Sequence, residues 1–542
     1  MENSDFRSLF YEKRYHDIIS LAHNVLMQSQ QRLISDLLKA EALLWMWRAE
    51  ERLENPNTQV IIEAYQLIPL LQDDPLILGI AADYMWFLGD QKRLTEARDI
   101  GTTIIKNQPV LFSRKDIKTK YWVAEFYNSY SIILWRLTDN NEALTYAKLS
   151  LSIREELRNS RDIASSLINL GMIFRSVGQI EKTLECYERS LTLYETMGNS
   201  YEVAALLNNL GTGYYEQGNF DKALHYYKES YELRKTFESQ QSKRGMTITL
   251  NNLGMVYYGI GELDKAIETF SECITLKENI SPKDLPSTLN NLALVYQDKD
   301  DFANAFACLE KSYGLLSEGE NPYHVAECLF LLIELLIKQE KILEAQKYYQ
   351  LLENHQKQFN HSKIQTITKV SHAIILKNNS RGSLKFQAIK PLEDIIKDPI
   401  TEFRYKFLAI IHLSELLLDE FKLYNNHEVF QQLNDLLIEF SDQAQQKNFI
   451  LGQVHSLMIQ AKLSLARGEL GESLNLFDKA EEIATKKGLL NLIKLVKKEK
   501  LLVKGEINKW KEMINQDVSI KERLENLQLM EYLDSIKRIL KQ

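Results

Sequence analysis

The chain has 542 residues, with 66 lysines and arginines against 74 aspartates and glutamates, a net charge of −8, 45% hydrophobic residues, 9 prolines and 21 glycines. This composition excludes a disordered or collagen-like chain, and the acidic balance offers no cationic field for nucleic acid or anionic lipid. The longest apolar runs, 329–337 and 407–418, are broken by polar residues and fall well short of the roughly 20 residues a membrane-spanning helix needs, so neither nucleic acid nor membrane insertion is expected.

The N-terminus, MENSDFRSLFYEKRYHD, lacks the basic start and apolar core of a secretory signal. Cys186, Cys273, Cys308 and Cys328 show no CxxC spacing and fit reduced thiols at packing positions. The expected compartment is the cytoplasm.

Residues 1–120 carry weak traces of helix pairs: Phe6, Leu9, Tyr15, Ile18 and Ala22, then Met85, Leu88, Leu94 and Ala97. From 121 to 360 a repeat is plain: a small residue, an aromatic three later, Gly at seven, Ala or Thr at twelve, an aromatic at sixteen. Three copies read Gly171, Phe174, Gly178, Thr183, Tyr187; Gly211, Tyr214, Gly218, Ala223, Tyr227; and Gly254, Tyr257, Gly261, Ala266, Phe270. Looser copies start at Ser131, Ala293 and Ile333, and the starts advance by 40, 40, 43, 39 and 40 residues. Small residues at the first and twelfth positions let two antiparallel helices approach. The aromatics are expected to fill the space between one pair and the next. Gly at seven enters the left-handed cap conformation at the end of the first helix. Each copy is helix, tight turn, helix, and copies must stack because one cannot bury its apolar face alone.

Residues 361–485 keep helical apolar spacing with few signature residues (Leu413, Leu416, Leu417; Ala461, Gly468, Ser473, Phe477) and are expected to be degenerate pairs. Irregular stretches are expected at 55–58, 106–118, 279–286, 360–363, 377–383 and 424–427, with 378–383 the best candidate for a break. Residues 486–542 are amphipathic, and 481–542 hold 14 Lys and Arg against 10 Asp and Glu. Ser519 and Glu522 form a capping box for a last helix carrying Ile520, Leu524, Leu527, Leu533 and Ile536. This segment is expected to cap the solenoid, with homodimerisation or folding back into the groove as alternatives.

The Leu-Gly, Tyr, Gly, Ala, aromatic series at Leu170-Gly171, Leu210-Gly211 and Leu253-Gly254 resembles the tetratricopeptide repeat family. The period near 40 and the Asn-Asn-Leu-Gly openings resemble its longer-repeat subclass, typified by kinesin light chain and polarity adaptors. The resemblance implies an all-α fold, a right-handed α-α superhelical solenoid of stacked helix-turn-helix repeats, with first helices lining a concave groove.

Asn128, Asn169, Asn208, Asn209, Asn251, Asn252, Asn290 and Asn291 stand two or three residues before the small position of successive repeats. An amide can both donate and accept, so such a series can hold the backbone of an extended peptide, the role the resemblance implies. The same amides can instead bridge neighbouring first helices. Residues one and four after the small position are expected to face the groove: Met172 and Arg175, Thr212 and Tyr215, Met255 and Tyr258, Leu294 and Gln297. Arg175 is the one basic member, which points to an internal peptide or helix over a C-terminal carboxylate, with Tyr215 and Tyr258 as aromatic contacts. No phosphate loop, dinucleotide fingerprint, HExxH or calcium-loop pattern occurs. The expected function is a protein-interaction scaffold or adaptor without enzymatic activity, cofactor or metal. A peptide-sensing regulator is the alternative.

Overall fold

The computed structural model describes all residues except 1–3, 31–34, 54, 318–321, 360, 380–384, 399–400, 402, 447–449, 487–488, 528 and 542. The described residues form 29 α-helices and short 3-10 turns, with no strand among them. The fold is an all-α solenoid of stacked helix pairs. Two compact units divide the chain, Met1–Leu206 and Leu207–Gln542.

The first unit holds α1 (Ser4–Tyr11), α2 (Tyr15–Gln30), α3 (Asp36–Arg52), α4 (Thr58–Gln66), α5 (Leu76–Asp90), α6 (Leu94–Asn107), α7 (Pro109–Ser113), α8 (Ile117–Arg136), α9 (Asn140–Leu157), α10 (Ser160–Ser176) and α11 (Ile180–Thr196). Between 106 and 118, taken above as irregular, lies the short α7, started by Pro109 at its first turn. The division falls within α12 (Ser200–Glu216). The second unit continues with α13 (Phe220–Lys235), α14 (Gln240–Gly259), α15 (Leu263–Ile280), α16 (Leu285–Asp298), α17 (Phe302–Ser317), α18 (Pro322–Lys338), α19 (Ile342–Gln358) and α20 (Ser362–Lys377). It ends with α21 (Ile389–Lys397), α22 (Phe403–Tyr424), α23 (His427–Gln446), α24 (Ile450–Arg467), α25 (Leu470–Lys486), α26 (Leu490–Gly505), α27 (Ile507–Asn515), α28 (Ile520–Asn526) and α29 (Leu529–Lys541). Most of the candidate break, 380–383, lies outside the described residues.

The seventh position of each repeat does what its chemistry demands. Gly178, Gly218 and Gly261 have φ of 73°, 76° and 82°, and Thr138, Asp300 and Glu340 adopt the same left-handed conformation at 67°, 58° and 61°. In each, the following amide reaches back to close the helix, as in Gln179 N to Phe174 O at 2.9 Å and Asp139 N to Leu134 O at 2.9 Å. The weak N-terminal traces are in the same register. Lys13, seven after Phe6, and Lys92, seven after Met85, both have φ of 61°.

The twelfth position is sealed: Ala143, Thr183, Ala223, Ala266, Ala305 and Ala345 are all buried. The sixteenth-position aromatics differ from expectation. Tyr187, Tyr227 and Phe270 lie against the small residue of their own pair, where a Cβ on Gly171, Gly211 or Gly254 would stand 2.5–2.6 Å from the ring. The glycines thus make room for an aromatic inside the pair. A further link recurs nineteen residues after the small position. Ser150 Oγ donates to Ala124 O at 2.8 Å, Ser190 Oγ to Ala164 O at 2.9 Å and Ser312 Oγ to Pro286 O at 3.3 Å, and Cys273 Sγ takes the same place against Thr247 O at 3.1 Å.

The single last helix expected after Ser519 is two helices, α28 and α29. Ser519 Oγ caps α28 by accepting from Glu522 N at 3.3 Å.

Candidate functional site

Where both amides are present, first helices are tied by one rule. The residue two before the small position donates Nδ2 to the Oδ1 of the residue three before it on the preceding first helix: Asn169 to Asn128 at 2.8 Å, Asn252 to Asn208 at 3.2 Å, Asn291 to Asn251 at 3.2 Å. Hydroxyls reinforce the same acceptors, Thr249 to Asn208 at 3.1 Å and Thr288 to Asn251 at 3.0 Å. Asn290 breaks the series. Among the described residues its Oδ1 is buried without a partner, because Leu331 stands where the next helix would supply an amide.

Towards both ends of the chain, charge replaces the amides. In the first unit Arg48 on α3 grips Asp83 on α5 through Nε at 2.6 Å and Nη2 at 2.8 Å. Glu125 on α8 is 3.6 Å from Arg48 and accepts from Arg154 Nη2 at 2.6 Å. These cations overcome the effect of burial and hold the Glu125 carboxyl below its ordinary range. In the second unit Lys462 on α24 donates to Glu499 on α26 at 2.6 Å.

A cleft of about 280 Å³ opens on the first-helix face of the second unit. Tyr258 of α14, Leu294, Gln297 and Asp298 of α16, Glu334, Ile337 and Lys338 of α18, Ile374, Lys377 and Asn378 of α20, His412 of α22 and Lys537 of α29 line it. Three of the residues expected to face a groove, Tyr258, Leu294 and Gln297, therefore meet in one place. Tyr258 is buried with its hydroxyl on Asp298 Oδ2 at 2.8 Å. Arg175, Tyr215 and the eight asparagines are not among the lining residues. Tyr215 stacks on Phe220 with ring centroids 5.3 Å apart, and burial pushes its hydroxyl up to about 12. Most of the missed lining residues follow the period, His412 and Lys537 excepted. Glu334, Ile337 and Lys338 are one, four and five after Ile333, and Ile374, Lys377 and Asn378 hold the same places after Ala373, forty residues on.

At the inner end of the cleft Glu415 is gripped from two sides. Lys377 bonds its Oε2, and Lys537 donates to Oε1 at 2.7 Å. Lys377 also reaches His412 Nδ1 at 3.1 Å. His412 Nδ1 also lies 3.4 Å from Glu415 Oε2, and its Nε2 is buried without a partner among the described residues. Burial, then the positive charge of Lys377, pushes the His412 imidazole down to about 3. Burial works to raise the Glu415 carboxyl, yet His412, Lys377 and Lys537 together hold it well below its usual range.

Burial raises all four thiols, Cys186 and Cys308 to about 11 and Cys328 to about 12. Among the described residues no three His, Cys, Asp or Glu side chains gather as a metal site, and no helix is long and apolar enough to cross a membrane.

The chain is similar in fold to solved helical proteins of low sequence identity. The apo form of RapI is 13% identical, with 68% of this chain and 99% of that one covered and a TM-score of 0.49. The apo quorum sensor NprR from B. thuringiensis is 16% identical, covering 71% and 99% with a TM-score of 0.47. BtubC (BKLC) from P. vanneervenii is 21% identical, covering 43% and 92% with a TM-score of 0.35. No curated protein matches the chain. Tetratricopeptide repeat models match residues 122–196, 162–236 and 284–358, and a second such model matches 249–280. With the left-handed turn and the sealed twelfth position recurring through those segments, residues 122–358 form a tetratricopeptide-repeat array.

Proposed function

We propose that the chain is a non-catalytic cytoplasmic scaffold or adaptor that binds a peptide or helical segment of a partner protein on its first-helix face. The observation that carries this reading is the cleft to which α14, α16, α18, α20 and α22 each contribute. Leu294, Ile337 and Ile374 offer an apolar anchor site, while Asp298, Glu334, Lys338 and Lys377 frame it with both signs of charge. Such a surface suits a segment with one apolar or aromatic anchor between polar flanks.

The amide series supports the same reading. The Nδ2 groups of Asn128, Asn208 and Asn251 meet no acceptor among the described residues, so each amide remains able to donate to a bound carbonyl. A binding role is also supported by the charges of the inner cleft, which neutralise one another, and by thiols held protonated at neutral pH. Four free cysteines suit a reducing compartment, and the net charge of −8 makes nucleic acid an unsuitable partner.

The test is binding of a partner segment selected from a peptide library on the intact chain. Leu294→Arg and Gln297→Ala are expected to weaken binding at least tenfold, while Glu268→Lys, exposed on the second helix α15, leaves it unchanged. Equal binding by all four chains would remove the cleft from the recognition surface.

A further inference from the structure

The first-helix face does not end at the cleft. It continues along α22 and α24, where the chain itself covers it. In an open repeat such as α10, buried residues alternate with half-buried ones. In α24 every residue from Gly452 to Ala466 is buried, and α22 is buried without interruption from Tyr405 to Leu418. A helix buried on all sides needs a neighbour on its free face, and that neighbour is α29 on α22, and α28 together with α29 on α24.

α29 docks through Leu529, Tyr532, Leu533 and Ile536, all buried. Their spacing of i, i+3, i+4 and i+7 is the stripe by which an amphipathic helix enters a groove. Polar contacts set its position. Tyr532 Oη lies 2.8 Å from His455 Nδ1 and 3.3 Å from Met458 S. The Lys462 ammonium stands 5.1 Å from the centre of the Tyr532 ring, and Lys537, next after the stripe, donates to Glu415. α28 anchors the turn before it, with Arg523 Nη1 on Ala466 O at 3.2 Å. The covered face therefore presents His455, Lys462 and Glu415 among its apolar residues. A face built only as core would be apolar, whereas an interface mixes apolar anchors with polar groups that meet water when uncovered.

We propose that the α22–α24 face is a second binding surface, specific for an amphipathic helix with apolar residues at i, i+3, i+4 and i+7, an aromatic hydroxyl at i+3 and a lysine at i+8. α29 is its resident occupant, and a partner helix of the same pattern displaces it. This rests on the first-helix face being the recognition surface, but not on the cleft. Displacement also removes Lys537 from the cleft wall, so the two surfaces are coupled through Glu415, which Lys377 and Lys537 share.

The probe is a fluorescein-labelled peptide of residues 526–542, titrated against the full-length chain and against full-length Leu533→Asp/Ile536→Asp, in which α29 is released. The released variant is expected to bind the peptide at least tenfold more tightly than the unaltered chain, and a peptide carrying the same two aspartates is expected not to bind. Absence of binding by a variant of unchanged helicity, or equal affinity of the two chains, overturns the proposal. A concentration-dependent dimer of the unaltered chain with α29 exchanged overturns it in favour of a second copy as occupant. If the variant loses helicity, hydrogen exchange on the unaltered chain decides. Amides of α29 exchanging at least tenfold faster than those of α22 and α24 sustain a releasable helix, and equal rates refute it. Peptide capture is read without a cleft-binding segment present, and cleft binding is read on the unaltered chain without the 526–542 peptide, so failure of the cleft reading and failure of this one are separable.

Discussion

Gly211→Ala tests whether the small position exists to seat the aromatic of its own pair. The new methyl carbon would lie 2.6, 2.7 and 3.0 Å from three atoms of the Tyr227 ring, against the 3.5–4.0 Å of ordinary carbon contact. The ring cannot swing aside cheaply. It is buried, and its hydroxyl donates to Thr212 Oγ1 at 3.0 Å. Overpacking of this kind costs about 1–3 kcal/mol, while alanine in a helix interior gains about 1 kcal/mol over glycine. With three ring atoms in contact the upper part of that range applies, and the net expectation is a loss of about 1–2 kcal/mol. Gly314→Ala, within α17 and with no atom inside 4 Å of its added carbon, has only the propensity gain and is expected to stabilise by about 0.5–1 kcal/mol. Urea unfolding measures both, with hydrogen exchange of α12 and α13 locating the first loss. Gly211→Ala/Tyr227→Leu, which makes room for the methyl, is expected to cost less than the sum of its two single changes. Opposite signs for the two glycines are the signature of the argument. A neutral or stabilising Gly211→Ala would refute it.

Other consequences are as direct. Thr138 holds a left-handed φ of 67° where Gly178, Gly218 and Gly261 stand in other repeats, so Thr138→Gly is expected to stabilise by about 1 kcal/mol in thermal unfolding. Asn208→Ala leaves the Thr249 hydroxyl and the Asn252 amide without their shared acceptor and is expected to cost about 1–2 kcal/mol. Asn290→Ala, whose Oδ1 has no partner, should cost less in the same assay. Burial pushes His455 down to about 4, and burial with Lys377 pushes His412 to about 3, so both are neutral when folded and titrate near 6.5 when unfolded. Their contribution is fully present above about pH 6.5 and is lost as pH falls towards 4, at about 1.4 kcal/mol per pH unit per histidine. His455→Gln is expected to remove close to one proton from that slope between about pH 6 and 5, and an unchanged slope would contradict it. Glu415→Ala leaves Lys377 and Lys537 without their common anion and is expected to cost about 3–5 kcal/mol, with faster hydrogen exchange in α29. Lys537→Met in the same background should return part of the loss.

Much of the repeat could be read directly from residues. Gly178, Gly218 and Gly261 mark turns that a left-handed residue makes, and Ala143, Ala223 and Ala266 mark small, fully buried sites between the helices of a pair. The faint copies at Phe6 and Met85 are in true register, as the left-handed Lys13 and Lys92 show. Carrying the period from Ile333 to Ala373 would also have found Glu334, Lys338 and Lys377, and the recurrent Ser150, Ser190, Cys273 and Ser312 were visible at fixed spacing. The position of the aromatics was not. Whether Tyr187 or Tyr227 lies within its pair or between pairs depends on how two helices cross.

The sequence by itself determined the helix pair, its turn and its period, because these depend on side-chain size and backbone freedom within about twenty residues. Tertiary structure decided which amide meets which, since a donor two residues before one small position finds an acceptor forty residues away only when the helices are rotated correctly. It also decided that α29 returns to α22 and α24, through contacts between Tyr532 and His455 and between Lys537 and Glu415. A local period carries no information about a helix that leaves the stack and returns to it. Its amphipathic stripe fixes that it must be covered, while only complementary shape and charge elsewhere in the chain select what covers it.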